Sequence, residues 1–212
     1  MKRTTATPAT TPLGLTLAAT LALSWAAPVA WAGTVQVTVL DAAGKPLPEA
    51  VVFLESADAR ARSQPLAEAQ IGQQDKRFQP TVSVVQVGTA VHFPNRDTVR
   101  HHVYSFSPTK PFELKLYIGT PAKPVVFDKP GVAVLGCNIH DTMVGWVLVL
   151  ETPHHSRSGA DGRARLLDVP AGSYRLRAWH PDLPVGSPAS DQPIQVRAEP
   201  VQADVELRPG RS

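Results

Sequence analysis

Cysteine occurs once in this chain, at Cys137, and methionine twice, at Met1 and Met143. A single thiol excludes a disulfide framework within the chain and leaves three fates for Cys137: burial, metal binding or reactivity. Lys and Arg are scattered with no dense basic run, so the electrostatic footprint of a nucleic-acid binder is missing and no nucleic-acid partner is expected. Gly-x-Ser-x-Gly and His-Glu-x-x-His do not occur, and no pair of carboxylates stands out from the scattered acids. Histidine clusters beyond the first, which several catalytic metals would need, are also missing. No catalysis is expected of this chain alone.

Long apolar runs are confined to the start. Lys2 and Arg3 precede an apolar stretch over residues 13–29, and Ala30-Trp31-Ala32 has the small-x-small pattern that a signal peptidase cuts. Thr16, Thr20, Ser24 and Pro28 interrupt the stretch, which is short for a membrane span. The reading is a signal peptide over residues 1–32, export to the periplasm, and no membrane association after cleavage. The formal charge of +3 includes Lys2 and Arg3, so the exported chain is close to neutral.

What the chain does have is proline and glycine, 21 and 14 of 212 residues. They cut it into short segments whose apolar residues alternate with period two. Val35, Val37 and Val39 against Thr34, Gln36 and Thr38 are the clearest case. The fold class predicted is all-β, with one helical stretch over residues 57–73 that Pro65 interrupts. Residues 131–136 and 144–150 form strands on either side of a short loop. The second is apolar at nearly every position, which predicts that its outer face is covered too.

The loop between these strands reads Cys137-Asn138-Ile139-His140-Asp141-Thr142-Met143. A thiolate, an imidazole and a thioether at three-residue spacing are soft ligands of the kind copper prefers, and a trigonal copper site needs one more imidazole. Of the remaining histidines, His92 is expected to be structural. His154 and His155 follow Pro153 in a linker, and His180 precedes Pro181 in a turn; all three are expected to be solvated. That leaves His101 and His102, which follow Asn95-Arg96-Asp97-Thr98-Val99-Arg100 and lead into Val103. Consecutive strand residues face opposite sides, so both cannot meet one ion.

Taken with Phe78-Gln79-Pro80, Val87-Gly88-Thr89 and Phe127-Asp128-Lys129-Pro130-Gly131, residues 78–150 resemble the cupredoxins, most of all amicyanin, pseudoazurin and plastocyanin. The resemblance implies a Greek-key β-sandwich and one type 1 copper ion. It implies His101, Cys137 and His140 as strong ligands, with Met143 as a weak axial sulfur. Single-electron transfer with a protein redox partner is the activity implied, through a surface near His140 bordered by Ile139, Asp141 and Thr142. One departure stands out: after its first histidine ligand the family usually has an asparagine that braces the ligand loops, and here stands His102. A copper chaperone or sensor that never passes electrons, and a metal-free binding module, remain open alternatives.

The flanks carry a second pattern. Gly44-Lys45-Pro46-Leu47 early, then Asp161-Gly162 and Val169-Pro170-Ala171-Gly172-Ser173-Tyr174 late, resemble the two ends of a carboxypeptidase regulatory-like, or transthyretin-like, β-sandwich. The implied organisation is a sandwich split into residues 33–60 and 153–209 around a cupredoxin domain over 66–152. Residues 50–54 could instead be the first strand of the inner domain. Chains of this combined pattern resemble proteins labelled as methylamine-utilisation-associated.

Overall fold

The computed structural model describes residues 32–210. The leader read from the sequence lies outside the described residues except for Ala32. The order of elements is β1 (Ala32–Leu40), β2 (Val51–Glu55), α1 (Ala57–Arg62), β3 (Ala69–Gln70), β4 (Gly72–Gln74), β5 (Arg77–Gln79), β6 (Val82–Gln86), β7 (Thr89–His92), β8 (His101–Ser105) and β9 (Phe112–Tyr117). It continues with β10 (Val125–Phe127), β11 (Gly131–Cys137), β12 (Val144–Leu150), β13 (His155–Arg157), β14 (Arg163–Pro170), β15 (Gly172–Trp179), β16 (Gln192–Val196) and β17 (Val201–Glu206). The fold is all-β, as the alternation requires. Among the described residues no helix is long and apolar enough to cross a membrane.

The strands stack as four layers. The outermost sheet runs β14-β1-β17, and beneath it lies β13-β2-β15-β16. Val35, Val37 and Val39 of β1 point into the space between them and meet Val52, Leu54 and Leu176. The third layer is the five-stranded sheet β6-β12-β11-β8-β9, and the fourth is β10-β7-β3 with the β4-β5 hairpin at its margin. Phe78, Phe93 and Phe127 fill the core between these two. β2 pairs with β13 and β15 and with no strand from β3 to β12.

The two middle layers meet through residues from strands that are apolar on both faces. Val147 and Val149 of β12 face the inner core, whereas Leu148 and Leu150 face Val51, Phe53 and Trp179 of the second layer. β2 does the same in reverse, with Val52 and Leu54 turned outward and Val51 and Phe53 toward β12. A strand buried on both sides gains nothing from alternation, which explains the two continuous apolar runs.

The helix is shorter than the composition suggested. It spans Ala57–Arg62 and not residues 57–73. Ser56 caps its start, its Oγ accepting from the Ala59 amide at 3.0 Å. Past Ser63, Gln64 precedes Pro65, whose ring bars the α conformation of its predecessor. The chain then runs extended, and Ala69–Gln70 pairs alongside β7.

The outer two layers draw strands from both ends of the chain, and Ser158 ties those ends together. Its Oγ accepts from the Ala50 amide at 2.9 Å and donates to the Leu47 carbonyl at 2.7 Å, at 1% exposure. Ser158→Ala would leave the buried Ala50 amide and the part-buried Leu47 carbonyl without this partner. The expected cost is about 1–3 kcal/mol in urea unfolding.

Candidate metal centre

β8 and β11 are antiparallel neighbours, with Cys137 opposite Val103. Because strand residues alternate, His101, Val103 and Ser105 of β8 point inward while His102 and Tyr104 point out. β11 ends on Cys137, which faces the same core as His101. The loop after it turns back tightly: the His140 amide donates to the Cys137 carbonyl at 3.4 Å, and the Met143 amide to the His140 carbonyl at 2.9 Å. The Asn138 amide donates to the His102 carbonyl at 3.2 Å, which fastens the loop to β8.

His101, Cys137 and His140 come together with their ligating atoms all within 4.8 Å of one another. Cys137 Sγ lies 3.7 Å from His101 Nδ1 and 3.6 Å from His140 Nδ1. The two imidazole centres are 5.0 Å apart. A first-row ion bonded at about 2.0 Å to nitrogen and about 2.3 Å to sulfur would hold those atoms about 3.7 Å apart at trigonal angles and about 3.5 Å at tetrahedral ones. The cluster therefore fits one ion without rearrangement. His101 is fully buried, Cys137 is 4% exposed and His140 is half-buried. Met143, at 1% exposure, belongs to the same apolar cluster as Cys137. His102 turns away and pairs with Glu113 at 2.8 Å, so His101→Ala is expected to empty the cluster of its buried imidazole while His102→Ala leaves copper binding within about twofold. Titration of both variants with Cu(II) checks this.

The brace on the buried imidazole comes from Asp97, four residues ahead of it. His101 Nε2 lies 2.8 Å from Asp97 Oδ2, which leaves Nδ1 for the sulfur side. Asp97 also accepts from the Asp75 amide at 2.7 Å and the Lys76 amide at 3.0 Å. Those two residues form the tip of the β4-β5 hairpin, with φ of 54° and 55°. Burial pushes the Asp97 carboxyl upward, but the hydrogen bonds from His101, Lys76 and Asp75 outweigh it and hold it below the usual carboxylate range.

Asn95 supports this loop in turn. Its Oδ1 accepts from the Asp97 amide at 2.9 Å, and its Nδ2 donates to the Val99 and Tyr117 carbonyls, each at 2.9 Å. Tyr117 donates to the Phe93 carbonyl at 2.8 Å and bonds to the buried Gln73. Burial raises the Tyr117 phenol to about 12, so it stays a donor throughout the neutral range. The signal that could have found this network is the Asn95-x-Asp97 spacing, since a side-chain oxygen two residues ahead of an amide is a standard turn former.

The other histidines lie away from the cluster, and three of them are not the solvated positions expected. His155 opens β13 and is half-buried, and His154 places Nε2 out of solvent without a partner, its ring edge-on to Tyr174. Burial lowers the pKa of both. His180 is 6% exposed, its Nδ1 accepting from the Asp182 amide at 3.1 Å. Packing of the second layer against its neighbours covers all three. His92 sits partly exposed on β7.

No protein-family model matches the chain, and no curated protein does. Solved structures do. The chain is similar to a purple cupredoxin from Nitrosopumilus maritimus, with 26% identity over 39% of this chain and 99% of that one, TM-score 0.35. It is similar to a reduced amicyanin mutant, with 18% identity over 47% of this chain and 98% of the other, TM-score 0.34. It also matches a copper-containing nitrite reductase from Thermus scotoductus, with 22% identity over 53% of this chain, TM-score 0.37; the match spans 28% of that enzyme.

Proposed function

We propose that this protein is an exported, cupredoxin-like copper protein that carries single electrons between protein partners in the periplasm, and is not itself an enzyme. The observation that carries the reading is the pair of imidazole Nδ1 atoms at 3.7 and 3.6 Å from the single thiol. In this reading His101, Cys137 and His140 hold one copper ion, and the Met143 thioether is its weak axial ligand. One thiolate, two imidazoles and a thioether form a donor set suited to copper and poorly suited to calcium, magnesium or manganese.

Bound copper supplies a one-electron couple between Cu(I) and Cu(II). The chain's own residues set the conditions for using it. His101 and Cys137 are fixed on neighbouring strands, and Asp97 with the β4-β5 hairpin braces His101, so the donor atoms are pre-positioned. His140 is the half-buried member and lies on the loop, so its edge is the natural path to a partner. Beside it Ile139 is 48% and Val144 37% exposed, a modest apolar rim for a transient interface. Asp141 and Thr142 are exposed on the same loop.

The flanking strands are proposed to form one carboxypeptidase regulatory-like module, interrupted by the copper module and serving docking or stability. The test of electron carriage is a spectroelectrochemical titration of the copper-loaded protein. Reversible one-electron bleaching and recovery of its colour is expected. A bound Cu(I) that resists oxidation would instead favour a chaperone or sensor. Met143→Gln is expected to keep copper and lower its potential, because a harder oxygen donor favours Cu(II); voltammetry of the variant checks the direction.

A further inference from the structure

The seam between the two middle layers is not filled along its whole length. Beside the packed cluster it opens into a cleft of about 550 Å³, a size that suits a drug-sized molecule at a junction between modules. One wall is the outward face of β11 and β12, with Val132, Val134 and Trp146; the other is Phe53, Arg177 and Trp179 of the second layer. The 183–189 loop closes one side.

The polar groups at the cleft narrow its chemistry. Arg177 stacks over the Phe53 ring at 5.8 Å, donates Nη1 to Glu55 at 3.2 Å and Nε to the Ser190 carbonyl at 3.3 Å. These contacts engage two of its five N–H groups and cancel its charge, yet they hold the guanidinium still with donors to spare. Arg60 and Glu151 form a second lining pair at 3.0 Å. A rim of two internal ion pairs has no net charge to offer an organic anion or cation. The part-exposed indole of Trp146, with Val132 and Val134 beside it, offers flat apolar surface, and the fixed guanidinium offers a hydrogen bond to a neutral carbonyl.

We propose that this cleft binds a neutral, planar, conjugated carbonyl compound of about two fused rings, its ring face against the indole of Trp146 and its oxygen accepting from Arg177. The site lies on the opposite face of the sheet from Cys137 and does not depend on copper.

The test uses the metal-free exported protein, which in the reading above has lost Trp25 and Trp31 with its leader, so that all tryptophan emission comes from Trp146 and Trp179 at the cleft. Titration with 1,4-naphthoquinone should quench this emission saturably at one site. 2-Naphthoate, of similar ring size but anionic, should bind at least tenfold more weakly. Arg177→Met with Glu55→Gln, which removes the donor without stranding a carboxylate, should weaken naphthoquinone binding roughly tenfold. Quenching that rises without saturation, as with free N-acetyltryptophanamide, overturns the proposal. So does naphthoate binding as tightly as the quinone, or a folded double variant with unchanged affinity. Dimerisation in sedimentation that shields the Trp146 indole would give the cleft to a second copy and also overturn it. If the double variant does not fold, the saturation and naphthoate arms decide alone.

Discussion

Cys137→Ser is expected to give a protein that folds as before, stays colourless on addition of Cu(II), and binds the ion far more weakly. The substitution changes one atom at a 4% exposed position, so the core around Phe78 and Phe93 keeps its shape. A serine hydroxyl there can still hydrogen-bond to the neighbouring imidazoles. It does not ionise near neutral pH, so the site loses its anionic ligand and its soft one together. The loss of affinity should exceed the 10–100-fold typical of removing an outer partner, and the loss of thiolate-to-copper absorption should be complete. Circular dichroism and a copper-binding isotherm on the same sample separate this outcome from unfolding.

Asp97→Ala is expected to lower copper affinity about 10–100-fold while leaving the ligands themselves in place. Asp97 meets the His101 imidazole at its far nitrogen, and it also receives two amides from the hairpin tip at Asp75 and Lys76. Its removal frees the ring to rotate, releases the preferred tautomer, and leaves two residues at positive φ without the acceptor that holds them. Asp97→Asn keeps an acceptor oxygen and should recover part of the affinity while shifting the reduction potential upward, since less negative charge then stabilises Cu(II). A role confined to hairpin stability would move the melting temperature and leave the potential of the bound copper unchanged.

The parts of this protein legible from residues alone are those governed by local periodicity. Alternation at Val35, Val37 and Val39 forecast β1 and its buried face, and the unbroken apolar run of β12 forecast a covered outer side. The same two-residue period separates His101 from His102, and the structure brings His101 to Cys137 while His102 meets Glu113. What was not legible depends on contacts between distant segments. The bond from Asp97 to the hairpin spans 22 positions and needs a turn with two left-handed residues, which nothing in Asp75-Lys76 announces. His154, His155 and His180 sit beside prolines in sequences that look like linkers, and their burial comes from packing of the second layer. The helix was over-extended because Ala, Gln and Glu continue past Pro65, where backbone sterics override composition.

The most direct test is a titration of the purified, metal-free protein with Cu(II), followed by visible absorption. An intense thiolate-to-copper band that grows linearly and stops at one equivalent per chain is the predicted result. Copper uptake with no such band, or no uptake at all, would contradict a centre built on Cys137 and the imidazoles of His101 and His140.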